Sequence, residues 1–168
     1  EYESARPNVI YPVGGPIYSH IYGDLGQDTK YYAIEPEVSG PQAEILNEVK
    51  NRLLTVSGQH SAPENEAEYD DLIEELLEEV THVDDTSSGW RRNVSKLLNV
   101  GKLSVTEETY ENIRYRLNRD IVGLGPLEPV MRDPANEDIH VIGPKECHVD
   151  HGTFGMLETT VDFGTPQE

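Results

Sequence analysis

Cys147-His148-Val149-Asp150-His151 places four potential metal ligands within five residues. Thiolate, imidazole and carboxylate are the ligand types of zinc chemistry, and a structural zinc site wants four of them converging. The run also reads as a β-strand, in which successive side chains alternate between faces. Cys147 and His151 then share one side and His148 and Asp150 the other, so only two ligands can meet. The strand reading is preferred and no metal is assigned. A second group is Arg114, Arg116, Arg119 and Arg132, which flank a Gly/Pro-punctuated turn. Arginines at a subunit boundary can complete a neighbouring nucleotide site. More often they bond helix-end carbonyls or pair with acids, here Asp120, Glu128 and Asp133. Arg119 and Arg132 are the nucleotide-proximal candidates if the first role applies. No general acid–base pair, nucleophile elbow or Gly-rich phosphate loop is recognisable, and no catalytic residue is assigned. The one Gly-Lys pair, Gly101-Lys102, is followed by Leu103 and lacks the upstream glycine of a phosphate-binding loop. Asp120 and Asp133 suit capping and turn bonding better than catalysis.

The elements that must position these residues follow from periodicity. Ile17 to Tyr22 and Tyr31 to Ile34 are two β-rich runs around Gly23-Asp24-Leu25-Gly26, which predicts a hairpin after an extended lead-in. Pro41 opens a first helix whose inward face is Ile45, Leu46, Val49, Leu53 and Val56, with Gly58 ending it. A second helix carries the stripe Tyr69, Leu72, Ile73, Leu76, Leu77, Val80 and Val83 with an acidic back, read as core packing with a solvated face. Asp84 to Gly89 is a loop, and Trp90 to Val100 a short basic helix. Ser104-Val105-Thr106-Glu107 has the capping-box pattern for a helix with Tyr110, Ile113, Leu117 and Ile121 inward. Gly123 and Gly125 can end it with positive φ, Pro126 presets the next turn, and Leu127, Val130 and Met131 form one edge of a short helix that Asp133-Pro134 stops. Beyond Asp138 the period falls to two, predicting three or four antiparallel strands over 139–142, 146–150, 154–157 and 160–163. The expected fold class is therefore α+β. A mainly helical part over 1–104 with a leading hairpin precedes an α/β part over 105–168 built of a helix and a small antiparallel sheet.

The chain of 168 residues carries 32 acidic against 13 basic side chains, a formal net charge of −19. Such a surface repels nucleic acid and anionic lipid, which argues against a nucleic-acid partner. It also repels itself unless salt screens it, and the Debye length falls to about 3 Å at 1 M salt. With arginine exceeding lysine, this points to a salt-loving source such as a haloarchaeon ahead of a local acidic docking surface. Cys147 is the single cysteine, so there is neither a disulfide framework nor a Cys-x-x-Cys zinc module. No apolar run approaches the ~18 residues that span a bilayer. The expectation is a soluble, cytoplasmic protein that reaches membranes only through partners.

The run Arg119-Asp-Ile-Val-Gly-Leu-Gly-Pro-Leu-Glu-Pro-Val-Met-Arg-Asp-Pro, followed by Glu137-Asp-Ile and a strand ending at Gly143, resembles the N-terminal domain of the type II/IV secretion ATPases. Tyr11-Pro-Val-Gly-Gly-Pro-Ile-Tyr and Tyr31-Tyr-Ala-Ile-Glu-Pro-Glu-Val are similar to two further segments of the archaeal branch. The resemblance covers most of the chain. It implies a cytoplasmic hexamer that couples ATP hydrolysis, with Mg, to secretion or to assembly of pili and archaella. The implied partners are the chain's own C-terminal motor domain, neighbouring subunits and a membrane platform protein. Gly123, Gly125, Pro126, Leu127 and Asp133 are the family-like turn. The motor's Gly-x-x-x-x-Gly-Lys-[Ser/Thr] is absent, and the chain opens on Glu1 without methionine and closes on Gly-Thr-Pro-Gln-Glu. The expectation is a fragment cut before the motor, holding no cofactor and inactive alone. Two other readings stay open: a free-standing acidic adaptor that binds protein partners, and a small metalloenzyme around His148 and His151.

Overall fold

The computed structural model describes residues 6–24, 28–60, 63–84 and 101–164. Two compact units are present, Glu1–Pro36 with Gly123–Glu168, and Glu37–Val122. The first is built on a six-stranded mixed sheet in the order β1-β2-β3-β8-β7-β6. Its strands are β1 (Asn8–Gly14), β2 (Ile17–Tyr22), β3 (Lys30–Ile34), β6 (Asn136–Gly143), β7 (Glu146–His151) and β8 (Gly155–Thr159). The first three and the last three each form an antiparallel meander. One parallel junction joins the meanders, with Lys30 opposite Glu158 and Tyr31 opposite Thr159. Just past it, the Thr160 N–H donates to the Tyr31 carbonyl at 3.0 Å and the Ala33 N–H to Thr160 Oγ1 at 3.2 Å. Alternation within the strands puts Ile21, Tyr31, Cys147, Val149 and Leu157 on one face, where they pack with Val130.

The second unit packs α1 (Pro41–Val56), α2 (Glu66–Val80) and α3 (Glu107–Ile121) around Val49, Leu53, Ile73, Leu77, Ile113 and Leu117. Pro41 sits in the first turn of α1, as its missing N–H allows. Asn65 caps α2 by accepting from the Glu68 N–H at 3.1 Å, while Glu68 reaches back to the Glu64 N–H at 2.8 Å. The apolar stripe continues past α2, but Thr81 turns extended, its hydroxyl bonded to the Leu77 carbonyl. Thr81–Val83 becomes β4, paired in parallel with β5 (Leu103–Val105).

Several expectations are corrected. The chain is not a mainly helical N-terminal part followed by an α/β part. It begins as sheet, and its N-terminal hairpin and C-terminal meander belong to one mixed sheet. The units divide at 36/37 and 122/123. The lead-in is a full strand, β1, despite Pro12, because β1 lies at the sheet edge where a missing N–H is tolerated. Thr106, not Ser104, caps α3, accepting from the Thr109 N–H at 3.2 Å; Ser104 lies in β5 and donates to Asp84. Residues 160–163 extend the polypeptide without forming a strand. The short basic helix from Trp90 to Val100 and the loop over 85–89 lie outside the described residues.

Gly23 leaves β2 with φ 140°, and a Cβ there would stand 2.3 Å from the Asp28 carbonyl oxygen and 2.7 Å from Thr29 Cα. Gly23→Ala is expected to cost about 2 kcal/mol or more by urea denaturation. Gly58→Ala, where a Cβ meets nothing, is expected within about 0.5 kcal/mol of wild type.

Candidate functional site

Three segments distant in sequence meet at the Asp133 carboxylate, which is 2 % exposed. The Tyr11 hydroxyl donates to Asp133 Oδ2 at 2.5 Å and the Tyr31 hydroxyl to the same oxygen at 2.7 Å. The Ala135 N–H donates to Oδ1 at 2.9 Å. Three donors fit a carboxylate, which only accepts, and such charge-assisted O–H···O⁻ bonds are about twice as strong as neutral ones. The local sequence explains the placement. A one-turn helix, α4 (Glu128–Met131), buries Pro129 and Val130, and the chain turns after it so that Asp133 bonds its own backbone two residues on. Tyr11 lies opposite Ser19 in the β1–β2 register, and Ser19 opposite Ala33, two residues along β3 from Tyr31. Both phenols thus project from the inner face.

His151, at the end of β7 and 4 % exposed, extends the network. Its Nδ1 accepts from the Thr153 N–H at 3.1 Å, so the ring proton resides on Nε2. Nε2 lies 3.1 Å from the Tyr11 hydroxyl, whose own proton goes to Asp133. A directed chain results, running Thr153 to His151 to Tyr11 to Asp133, with Phe154 against the imidazole at 5.0 Å between ring centroids.

The phenols are perturbed accordingly. Burial, reinforced by the bond to Asp133 and opposed by the Ser19 hydroxyl, pushes Tyr11 far above the ordinary phenol range. Burial does the same to Tyr31, with Ser19 again lowering and Asp133 raising it. A raised folded-state value means that the folded protein holds these protons more tightly than the unfolded chain does. The stability they confer is complete below the ordinary phenol value of about 10 and is lost as pH rises above it.

The family-like turn is organised by Glu128, which is 6 % exposed. Its Oε2 accepts the Leu124 N–H at 2.8 Å and its Oε1 bonds Arg132. Only Gly125 of the two glycines takes positive φ, at 56°; α3 ends in right-handed geometry at Val122, so Gly123 needs none. Pro126 lies within a 3-10 turn over Gly125–Leu127, Leu127 packs against the sheet core, and Met131 is exposed. Of the nucleotide-proximal candidates, Arg132 is held by Glu128 in the sheet unit, and Arg119 contacts Asp120 at 3.0 Å in the helical unit. The ligand-like run in β7 alternates as a strand requires: Cys147 and His151 are buried inward while His148 faces His140 across the outer side. Among the described residues no three His, Cys, Asp or Glu side chains converge as a metal site. A separate cleft of about 400 Å³ in the helical unit is lined by Glu74, Glu78, Thr81, His82, Lys102 and Tyr110. Lys102 is tied there to the Glu78 carbonyl.

No protein-family profile matches the chain. An uncharacterized protein of Methanocaldococcus jannaschii is 38% identical over 164 residues, which are 96% of this chain and 30% of that protein. A second uncharacterized protein of the same archaeon is 25% identical over 151 residues, 88% of this chain and 52% of its own length. The chain thus spans under a third of one relative and about half of the other. No described helix is long and apolar enough to cross a membrane.

Two predictions follow from the geometry. Tyr11→Phe and Tyr31→Phe are each expected to cost about 1–2 kcal/mol in urea denaturation. The double variant should lose more than their sum, because one remaining phenol still satisfies Oδ2; simple additivity would separate the two bonds. In an alkaline titration followed by phenolate absorbance, at least two of the nine tyrosines should ionise only together with unfolding. A single transition at the ordinary phenol value for all nine would contradict the buried network.

Proposed function

We propose that the chain is the N-terminal interaction region of an archaeal type II/IV secretion ATPase. The supporting observation is the meeting of Tyr11, Tyr31 and Asp133, one from each of the three segments that carry the resemblance. A shared physical task for residues scattered over 122 positions explains why the three segments occur together. The greater length of the archaeal relatives is compatible with a further domain beyond the matched region. In this reading the motor domain binds ATP and Mg, and the present chain transmits its movement to neighbouring subunits and to a cytoplasmic-side platform protein. The chain itself holds no cofactor and no catalytic residue. Arg119 and Arg132 would have to leave Asp120 and Glu128 to reach a nucleotide, so their present role is to brace the helix end and the turn.

A free-standing acidic adaptor is the second reading, favoured by Tyr18 and Tyr22, which β2 exposes on the sheet's outer face. One experiment separates them. The complete gene product, expressed alongside residues 1–168, should hydrolyse ATP and carry a downstream Gly-x-x-x-x-Gly-Lys-[Ser/Thr], while the 168-residue chain is inert. A complete product with neither motif nor hydrolysis would reject the motor and leave the adaptor.

A further inference from the structure

The two faces of the six-stranded sheet are unlike. The inner face holds the buried core of Ile21, Tyr31, Cys147, Val149 and Leu157, whereas the outer face over β1 to β3 exposes a contiguous set of large side chains. The register aligns Ile10 with His20 and His20 with Tyr32, and beside that row Pro12 with Tyr18 and Tyr18 with Ile34. Tyr22, paired with Lys30, completes the set. Ile10 is 61% exposed, Tyr22 52%, Tyr18 45% and Ile34 40%. His20 binds the rings into one platform, 5.6 Å from Tyr22 and 5.8 Å from Tyr32 between centroids, with its Nε2 on Asn8 Oδ1 at 2.8 Å. Single exposed apolar residues need no explanation, but a contiguous apolar patch on a chain this polar marks an interaction surface.

Charge decides what fits it. The described part of the sheet unit has four basic side chains, and all are engaged: Arg6 with Asp24, Lys30 with Glu158, Arg132 with Glu128 and Lys145 with Asp162. Asp138 and Asp150 face each other across β6 and β7 on the outer side, near Met156, and the chain as a whole is at −19. Among the described residues of this unit, no basic side chain is left to offset the acid at this surface. A second copy brings the same unbalanced acid, and an anionic lipid surface is repelled for the same reason.

We propose that this face docks a cationic amphipathic segment of a partner protein. Its aliphatic or aromatic side chains would lie on the platform of Ile10, Tyr18, Tyr22, Tyr32 and Ile34. Its lysines and arginines would lie toward Asp138 and Asp150 or over the tyrosine rings, which attract cations through their faces. The inference does not depend on the presence of a motor domain.

The test uses a synthetic amphipathic peptide with lysine on one face and leucine on the other, and a counterpart with glutamate in place of lysine. Each is titrated into the isotope-labelled 168-residue chain by NMR. The cationic peptide should shift Tyr18, His20, Tyr22, Tyr32 and Ile34, and the acidic one should not bind. Tyr18→Ser/Tyr22→Ser should weaken binding at least about tenfold. Ile10→Lys, at the most exposed of these positions, should weaken it as well. Shifts confined to the acidic back of α2, binding of both peptides or of neither, unchanged affinity in folded variants, or burial of the platform by a second copy in sedimentation would each overturn the proposal.

Discussion

The sheet unit depends on one buried acceptor. Its two meanders come from opposite ends of the chain, and the parallel junction between them is only two residue pairs long. Two residue pairs and the two bonds to Thr160 beside them are a thin seam for six strands. Asp133 compensates, because it stands at the start of the C-terminal meander and takes bonds from Tyr11 and Tyr31 of the N-terminal one. His151 at the far end of β7 adds a further tie to Tyr11. The apolar core around Val130 and Val149 supplies the larger share of the stabilisation, as burial does in most domains. The polar cluster specifies which strand sits against which, since a slip of one residue in β1 or β3 would move a tyrosine to the outer face.

Electrostatics works in the opposite direction. With so large an acidic excess, most of the surface opposes compaction, and isolated ion pairs such as Lys145 with Asp162 return little. Salt screens the repulsion more than it weakens buried bonds, so the buried Tyr–Asp contacts persist where surface pairs fade. The same excess makes the surface repulsive to polyanions.

The sequence was readable where the signal is local. The stripes of α1 and α2, the proline start of α1, the β2–β3 hairpin and the alternation of Cys147 to His151 all arise from neighbours within a few residues. The parallel junction between Tyr31 and Thr159 joins residues far apart in the chain, and no local period records it. Thr81 to Val83 kept the helical stripe but was claimed by pairing with Leu103 to Val105, a tertiary preference that overrides the pattern. The local sequence marks Asp133 as a turn former, and its bond to Ala135 fits that. Its two stronger bonds were invisible, because nothing in a single sequence ties an aspartate to tyrosines 102 and 122 positions away. The motif resemblance grouped these three residues without showing that they touch.

The central claim is that Asp133 makes the two meanders one cooperative sheet. Native-state amide hydrogen exchange on wild type and Asp133→Ala tests it most directly. In wild type, the amides of β2 and β3 should open with the same free energy as those of β7 and β8. In the variant the N-terminal three strands should open separately and at lower free energy while β7 and β8 keep their protection. If both meanders lose protection equally, or the variant exchanges as wild type does, the sheet is held by its core alone and the account is wrong.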